Sequence, residues 1–193
     1  MKFLFTFLFT VSSALALAQD DIASRTILEA PDSWRPEIIN FPLSFAPSLD
    51  YTGFEDIRFS KGWADTTAVD YFAYTFVWYI NENPKLTEEK LETQMKAYFD
   101  GLMSLVAERN DLPKTKAEFD FIRSKDTRVA SGTVSFYEAF FKKKVITMRV
   151  GMTSEPCRKT KKHLVRFYLA PIETADQLMS SFDEVKLKVD CGG

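Results

Sequence analysis

Residues 69–80 read VDYFAYTFVWYI, and this run predicts the central strand of the fold. Successive side chains of a strand point to opposite faces. Both faces of this run are largely apolar, which is typical of a strand that is covered on both sides. One face carries Tyr71, Ala73, Thr75, Val77 and Tyr79, and the other carries Phe72, Tyr74, Phe76, Trp78 and Ile80.

The chain beyond this strand alternates between helical and strand patterns. Thr87 is a predicted N-cap, and apolar residues at helical spacing continue the helix to Asn110–Pro113. Thr174 and Gln177 form a predicted capping box for a second helix, and alternation over Val185–Cys191 predicts a last strand. Between the helices, period-two patterns predict strands over Glu118–Arg123, Val129–Phe141, Val145–Met152 and His163–Ala170.

The segment Trp34–Trp63, ahead of the central strand, is aromatic and interrupted by prolines. Prolines keep it out of a long helix, so we expect an extended segment that lies on the core, with a short strand at Ile57–Phe59. Together these elements predict an α+β fold with a mostly antiparallel central sheet and flanking helices, in a single globular domain over 34–193.

The element order over Arg58–Val185 resembles that of PsbP/Mog1-type α/β sandwiches. The resemblance implies a sandwich architecture. Members of that group often bind other proteins or help to assemble them, so it also implies a binding role.

The first eighteen residues predict a secretory signal peptide. Lys2 supplies a positive charge, Phe3–Leu17 is almost wholly apolar, and Ala16–Leu17–Ala18 places small residues at a cleavage site. The apolar run is shorter than the ~20 residues that span a bilayer, which argues against the alternative of an N-terminal anchor. We expect cleavage after Ala18, a loosely ordered leader over 19–33, and a mature chain in the periplasm or outside the cell with no membrane span.

Cys157 and Cys191 are the only cysteines. An exported pair most simply forms a disulfide. Its loop of about 34 residues would stabilise the fold by roughly 3–4 kcal/mol in the chain-entropy model. The alternative is a reactive Cys157 paired with His163, without a recognisable third member.

Three early segments resemble the N-terminal signature of a family of small exported bacterial proteins. They are Trp34–Glu37, Phe41–Pro47 and Gly53–Phe59; the later Tyr74–Trp78, Tyr98–Leu102 and both cysteines fit the same pattern. The resemblance implies export and a bacterial source, and it transfers no catalytic residue.

Recognisable catalytic motifs are absent from the sequence. His163 is the only histidine, which excludes a His-rich metal site, and there is no HExxH, GxSxG or glycine-rich phosphate loop. We therefore expect no metal and no cofactor.

Acids of the aromatic segment are the remaining catalytic candidates. Glu37, Glu55 and Asp65 are candidate general acids or bases. The alternative is that Arg35 and Arg58 pair with acids of this segment and fix it on the core.

Aromatic side chains of the same segment are candidates for a ligand groove. Trp34, Tyr51, Phe54 and Trp63 would suit stacking on a sugar or an apolar ligand. The alternative is that they fill the core.

The charge balance argues against nucleic-acid binding, because the formal net charge is −2. Two basic clusters, Lys142–Lys144 and Arg158–Lys162, are predicted in turns at opposite ends of a strand. They are either solvated loops or, at the second cluster, a patch for an acidic partner; neither has the interleaved aromatics of single-strand binders.

Taken together, the sequence favours an exported, non-catalytic binding or assembly module whose partner is an unknown protein or a small ligand. The alternatives are a carboxylate-dependent hydrolase or lyase, and a binder of a sugar or small apolar ligand.

Overall fold

The structure, a computed structural model, describes residues 26–123 and 128–192, with Arg123 as backbone only. Nine strands and two helices follow one another along these residues. In chain order they are β1 (Leu28–Glu29), β2 (Arg35–Asn40), β3 (Gly53–Phe59), β4 (Tyr74–Ile80), α1 (Glu88–Arg109), β5 (Glu118–Arg123), β6 (Val129–Glu138), β7 (Lys144–Cys157), β8 (Lys162–Pro171), α2 (Ala175–Asp183) and β9 (Lys186–Leu187).

Strands β2 to β8 form one seven-stranded sheet in the order β2-β3-β4-β8-β7-β6-β5. Every neighbouring pair in it is antiparallel. Strands β1 and β9 pair separately as a small antiparallel sheet. The predicted α+β class with a mostly antiparallel sheet is therefore confirmed.

The two faces of the large sheet are covered by different elements. Helix α1 and the loops around 41–51 and 60–73 pack on one face, which we call the α1 face. Helix α2 and the β1–β9 pair pack on the other, the α2 face. Strand β4 lies between β3 and β8, and all its side chains are buried, as its sequence predicts.

The central strand begins at Tyr74, so the predicted start at Val69 is wrong. The chain turns just before this strand, at Phe72, whose φ of 55° lies in the left-handed region. The Tyr71 hydroxyl donates to the buried Glu138 carboxylate at 2.6 Å. Glu138 also accepts from the backbone N–H of Lys142 at 2.6 Å, which joins this turn to the β6–β7 turn.

The predicted ends of the helices have different outcomes. Thr87 caps α1, since its Oγ1 accepts from the N–H of Lys90 at 3.1 Å, and Asn110 ends that helix. The Thr174–Gln177 capping box is wrong, because the Thr174 hydroxyl donates to the Pro171 carbonyl at 3.4 Å instead. The predicted last strand is reduced to the two residues of β9.

Cys157 and Cys191 form the predicted disulfide. It joins the end of β7 to the C-terminal tail, and Cys157 is fully buried. With both sulfurs bonded to each other, a reactive Cys157–His163 pair is wrong. The His163 ring instead lies 3.0 Å from the hydroxyl of Ser154.

The described part of the predicted leader is packed rather than loose. Ile27 and Leu28 are buried, and β1 pairs with β9. The predicted signal peptide, 1–18, and residues 19–25 lie outside the described part of the chain. Within the described ranges, no helix is long and apolar enough to cross a membrane.

Helix α1 approaches the loop before β3 closely at Gly101. A Cβ at this position would collide with the carbonyl oxygen of Phe45. A glycine here therefore lets helix and loop pack backbone against backbone, and this contact fixes the distance between two elements that bound the candidate site.

We predict that Gly101→Ala destabilises the protein by roughly 1–3 kcal/mol, because the added methyl forces helix and loop apart. Without that contact, alanine would stabilise a helix by up to ~1 kcal/mol. Urea unfolding measures the free energy, with Thr93→Ala on the exposed side of α1 as the control. A stabilised Gly101→Ala variant would contradict the close approach.

Candidate functional site

A cavity of about 330 Å³ lies at the edge of the sheet, on the α1 face. The edge strand β2, the next two strands of the sheet, β3 and β4, helix α1 and three loops bound it. Its lining consists of Arg35, Glu37, Ile39, Phe45, Ile57, Phe59, Trp63, Phe72, Tyr74, Tyr98, Leu102, Leu105, Val106, Arg109 and Phe140.

The periodicities of β2 and α1 place these side chains. Alternate residues of a strand share one face, which brings Arg35, Glu37 and Ile39 to the cavity. Residues three and four apart share one face of a helix, which brings Tyr98, Leu102, Leu105, Val106 and Arg109 to it.

The apolar walls of the cavity are incompletely covered by protein. Several lining side chains are only partly buried although they pack on the core: Ile39, Phe45, Trp63, Leu102, Val106 and Phe140. Arg35, Glu37 and Arg109 are exposed, so the cavity reaches the surface where these charged side chains lie.

Glu55 lies fully buried behind this cavity, on β3. Its carboxyl accepts a hydrogen bond from Trp78 Nε1 at 2.7 Å, and its other oxygen lies 2.8 Å from the Tyr98 hydroxyl oxygen, within hydrogen-bond distance. Burial raises the pKa of Glu55 to about 8, the two hydrogen bonds oppose this rise, and the negative charges of Glu37 and Asp56 add to it. At neutral pH, Glu55 is therefore mostly in the protonated, uncharged form.

Tyr98 connects this acid to the cavity. It lines the cavity, and its hydroxyl contacts Glu55. Burial raises the pKa of Tyr98 well above its ordinary value, as it does for Tyr74, the other tyrosine of the lining. Both phenols stay protonated, so the Glu55 carboxyl is separated from the cavity by one neutral hydroxyl.

The other predicted acids lie elsewhere. Glu37 is exposed and lines the cavity, whereas Asp65 is exposed in a turn outside it. Asp65 accepts from the N–H and the hydroxyl of Thr67 at 2.9 and 2.7 Å, and these bonds lower its pKa. The structure therefore places Glu37 and Glu55 at one site and leaves Asp65 out of it.

Asp56 and Arg58 form a buried ion pair on the opposite, α2 face of β3. Asp56 accepts from the backbone N–H groups of Ile27 and Leu28 at 2.7 and 2.9 Å, and Arg58 donates to the Leu28 carbonyl at 2.6 Å. This pair fixes residues 26–28 on the sheet, which explains why the described part of the leader is packed. The predicted pairing with acids is thus found for Arg58.

Arg35 makes a different contact. Its guanidinium lies over the rings of Phe59 and Trp63, 4.7 and 5.2 Å from their centroids. Both rings line the cavity. Arg35 therefore covers part of the aromatic wall rather than an acid.

The four predicted ligand-binding aromatics are not brought together. Trp63 lines the cavity, and its Nε1 is buried with no acceptor in the described part of the chain. Tyr51 is buried against Phe41 on the α1 face. Trp34 and Phe54 pack on the α2 face.

Sequence reasoning missed the contribution of α1. Leu105 and Arg109 were not singled out, because their helical spacing indicates only which face of α1 they share. That this face meets the sheet edge formed by β2 is a tertiary contact, for which the sequence carries no local signal.

The two basic clusters lie in separate turns, as predicted. Lys142–Lys144 lies at the β6–β7 turn and Arg158–Lys162 at the β7–β8 turn. Lys142 lies over the ring of Tyr71 at 4.0 Å, and Lys159 is paired with Asp190. These contacts are local, and neither cluster lines the cavity.

Within residues 26–123 and 128–192, no three His, Cys, Asp or Glu side chains are grouped so that they could hold a metal ion. Comparison with protein-family models, with curated proteins and with solved structures finds no match to this chain.

We predict that the wild-type protein loses stability relative to Glu55→Gln as the pH rises. Unfolded Glu55 ionises near its ordinary pKa of 4.5, whereas folded Glu55 keeps its proton up to about pH 8. Between these values the unfolded state releases a proton that the folded state retains, so the free energy of unfolding falls with pH, by roughly 4 kcal/mol in all. Glutamine mimics the protonated acid and does not titrate.

Urea unfolding of both proteins at about pH 5 and about pH 8 measures this difference. The matched control is Glu37→Gln, which removes an exposed carboxylate of the same site. An equal difference between wild type and Glu55→Gln at both pH values would show that Glu55 is ionised throughout.

Proposed function

We propose that this protein is an exported, non-catalytic binding module that holds a small ligand with an apolar body in the cavity between β2 and α1. The observation that carries the proposal is an aromatic-walled cavity that opens to the surface beside charged side chains. Its volume of about 330 Å³ lies at the lower end of the ~300–1,000 Å³ typical of small-molecule sites.

The chemistry of the lining favours an apolar body over a sugar. Twelve of the lining residues are aromatic or aliphatic without charge, and the charged ones lie at the surface. A sugar needs several hydrogen-bonding partners along its length, whereas an apolar ligand gains chiefly from the area that it buries. Half-buried walls supply such area.

Export to the periplasm or the extracellular medium is part of the proposal. The predicted signal peptide is its basis, and the disulfide supports it, because disulfides persist in oxidising compartments. The resemblance to small exported bacterial proteins points the same way.

In its wider form, the proposal is that the module binds a protein partner or helps to assemble one. A central antiparallel sheet with one helix on each face agrees with the PsbP/Mog1-like interpretation, whose members often bind proteins. The cavity is the more specific feature, so we place the ligand there.

We predict that the neutral dye N-phenyl-1-naphthylamine binds the cavity and gains fluorescence on binding. Leu105→Trp fills part of the cavity and should weaken binding at least about tenfold. Met179→Trp is the matched control: Met179 is 53% exposed and lines a separate groove beside α2.

Titration of the dye into the three proteins, with circular dichroism to verify folding, measures the affinities. Binding that is lost in Met179→Trp but retained in Leu105→Trp would move the site to the α2 groove and overturn the proposal.

A second candidate is carboxylate-dependent hydrolysis or elimination. It is favoured by Glu55, a buried acid held protonated near neutral pH and linked to the cavity through Tyr98. Glu55 itself does not line the cavity, which is why we prefer binding. Turnover of chromogenic esters or glycosides that is lost in both Glu55→Gln and Tyr98→Phe would favour this candidate.

A further inference from the structure

Two arginines lie at the mouth of the cavity without an acidic partner in the described part of the chain. Arg35 projects from β2 and Arg109 from the last turn of α1. Neither forms an ion pair with any described residue, whereas Arg58 and Arg149 each contact an aspartate. Two guanidinium groups from separate elements therefore face one opening.

The charge of the lining is positive. Among the described lining residues, Glu37 is the only carboxylate against the two arginines. Glu55, the acid behind the wall, is uncharged at neutral pH because burial raises its pKa. An anion at the mouth thus meets two cations and one negative charge.

Arg35 is held in a position suited to binding an anion. Its guanidinium lies over Phe59 and Trp63, two rings of the cavity wall. Stacking on aromatic faces restrains the planar group while its N–H donors remain free, and guanidinium matches a carboxylate or sulfonate through paired hydrogen bonds.

We infer that the ligand of this cavity is an amphipathic organic anion. Its apolar body lies against the aromatic wall, and its anionic group lies at the mouth beside Arg35 and Arg109. This inference rests on the proposed function and specifies the chemical class of the ligand.

The test compares two dyes that share one ring system. 1-Anilinonaphthalene-8-sulfonate carries a sulfonate, and N-phenyl-1-naphthylamine is its neutral counterpart. We expect the sulfonate dye to bind more tightly to the wild-type protein at low ionic strength, and added salt to reduce that advantage.

Substitution of both arginines by glutamine separates charge from shape. Arg35→Gln combined with Arg109→Gln should weaken the sulfonate dye about tenfold or more and change the affinity for the neutral dye less than about twofold. Arg158→Gln, which removes an exposed positive charge in the β7–β8 turn, is the control and should change neither. Arg35→Lys alone should restore only part of the preference, because it keeps the charge and loses the planar donor pair.

The outcomes distinguish the two proposals. If the double variant loses affinity for both dyes equally, or keeps its affinity for the sulfonate dye, the inference of an anionic ligand is wrong. The proposed apolar binding site is then unaffected. If neither dye binds the folded protein, the proposed function is wrong, and so is the inference of an anionic ligand. Unchanged near-UV circular dichroism in each variant verifies that dye binding reports the native state.

Discussion

The buried carboxyl of Glu55 links helix α1 to the hydrogen-bonded strand pair β3–β4. It lies on β3, receives a hydrogen bond from Trp78 on β4 and contacts Tyr98 on α1. An ionised carboxylate at this depth would carry a large desolvation cost, so the acid keeps its proton and remains compatible with an apolar core. This contact helps to hold α1 over the sheet edge and so contributes to the shape of the cavity.

Neighbouring residues of β3 serve opposite faces of the sheet. Glu55 faces α1 and the cavity, whereas Asp56 faces the N-terminal segment and is paired with Arg58. A shift of one residue in the β3 register would exchange the two faces, placing a charged pair against α1. The aromatic segment thus combines a structural clamp on one side with a candidate binding site on the other, which is why its acids differ so much in environment.

The sequence predicts the local patterns well and the tertiary contacts poorly. The apolar run before Asn81, the Thr87 cap and the disulfide have signals in residue type or compartment, and the structure contains all three. The predicted start of the central strand is wrong because the chain turns at Phe72, and the adjacent Tyr71 donates to Glu138, a partner 67 residues away. For the site, Glu55 could be named as an acid among aromatics. Its protonation and its link to α1 could not, because both follow from burial by distant segments.

The pH dependence of stability, the charge near the cavity and the candidate acid chemistry all depend on whether Glu55 is protonated. Carbon-13 NMR of its carboxyl carbon, assigned by comparison with Glu55→Gln, measures it directly across a pH titration. A transition near pH 8 is the predicted result, with the acid neutral at physiological pH. A transition near the ordinary value of 4.5 would contradict it, because Glu55 would then carry a negative charge behind the cavity.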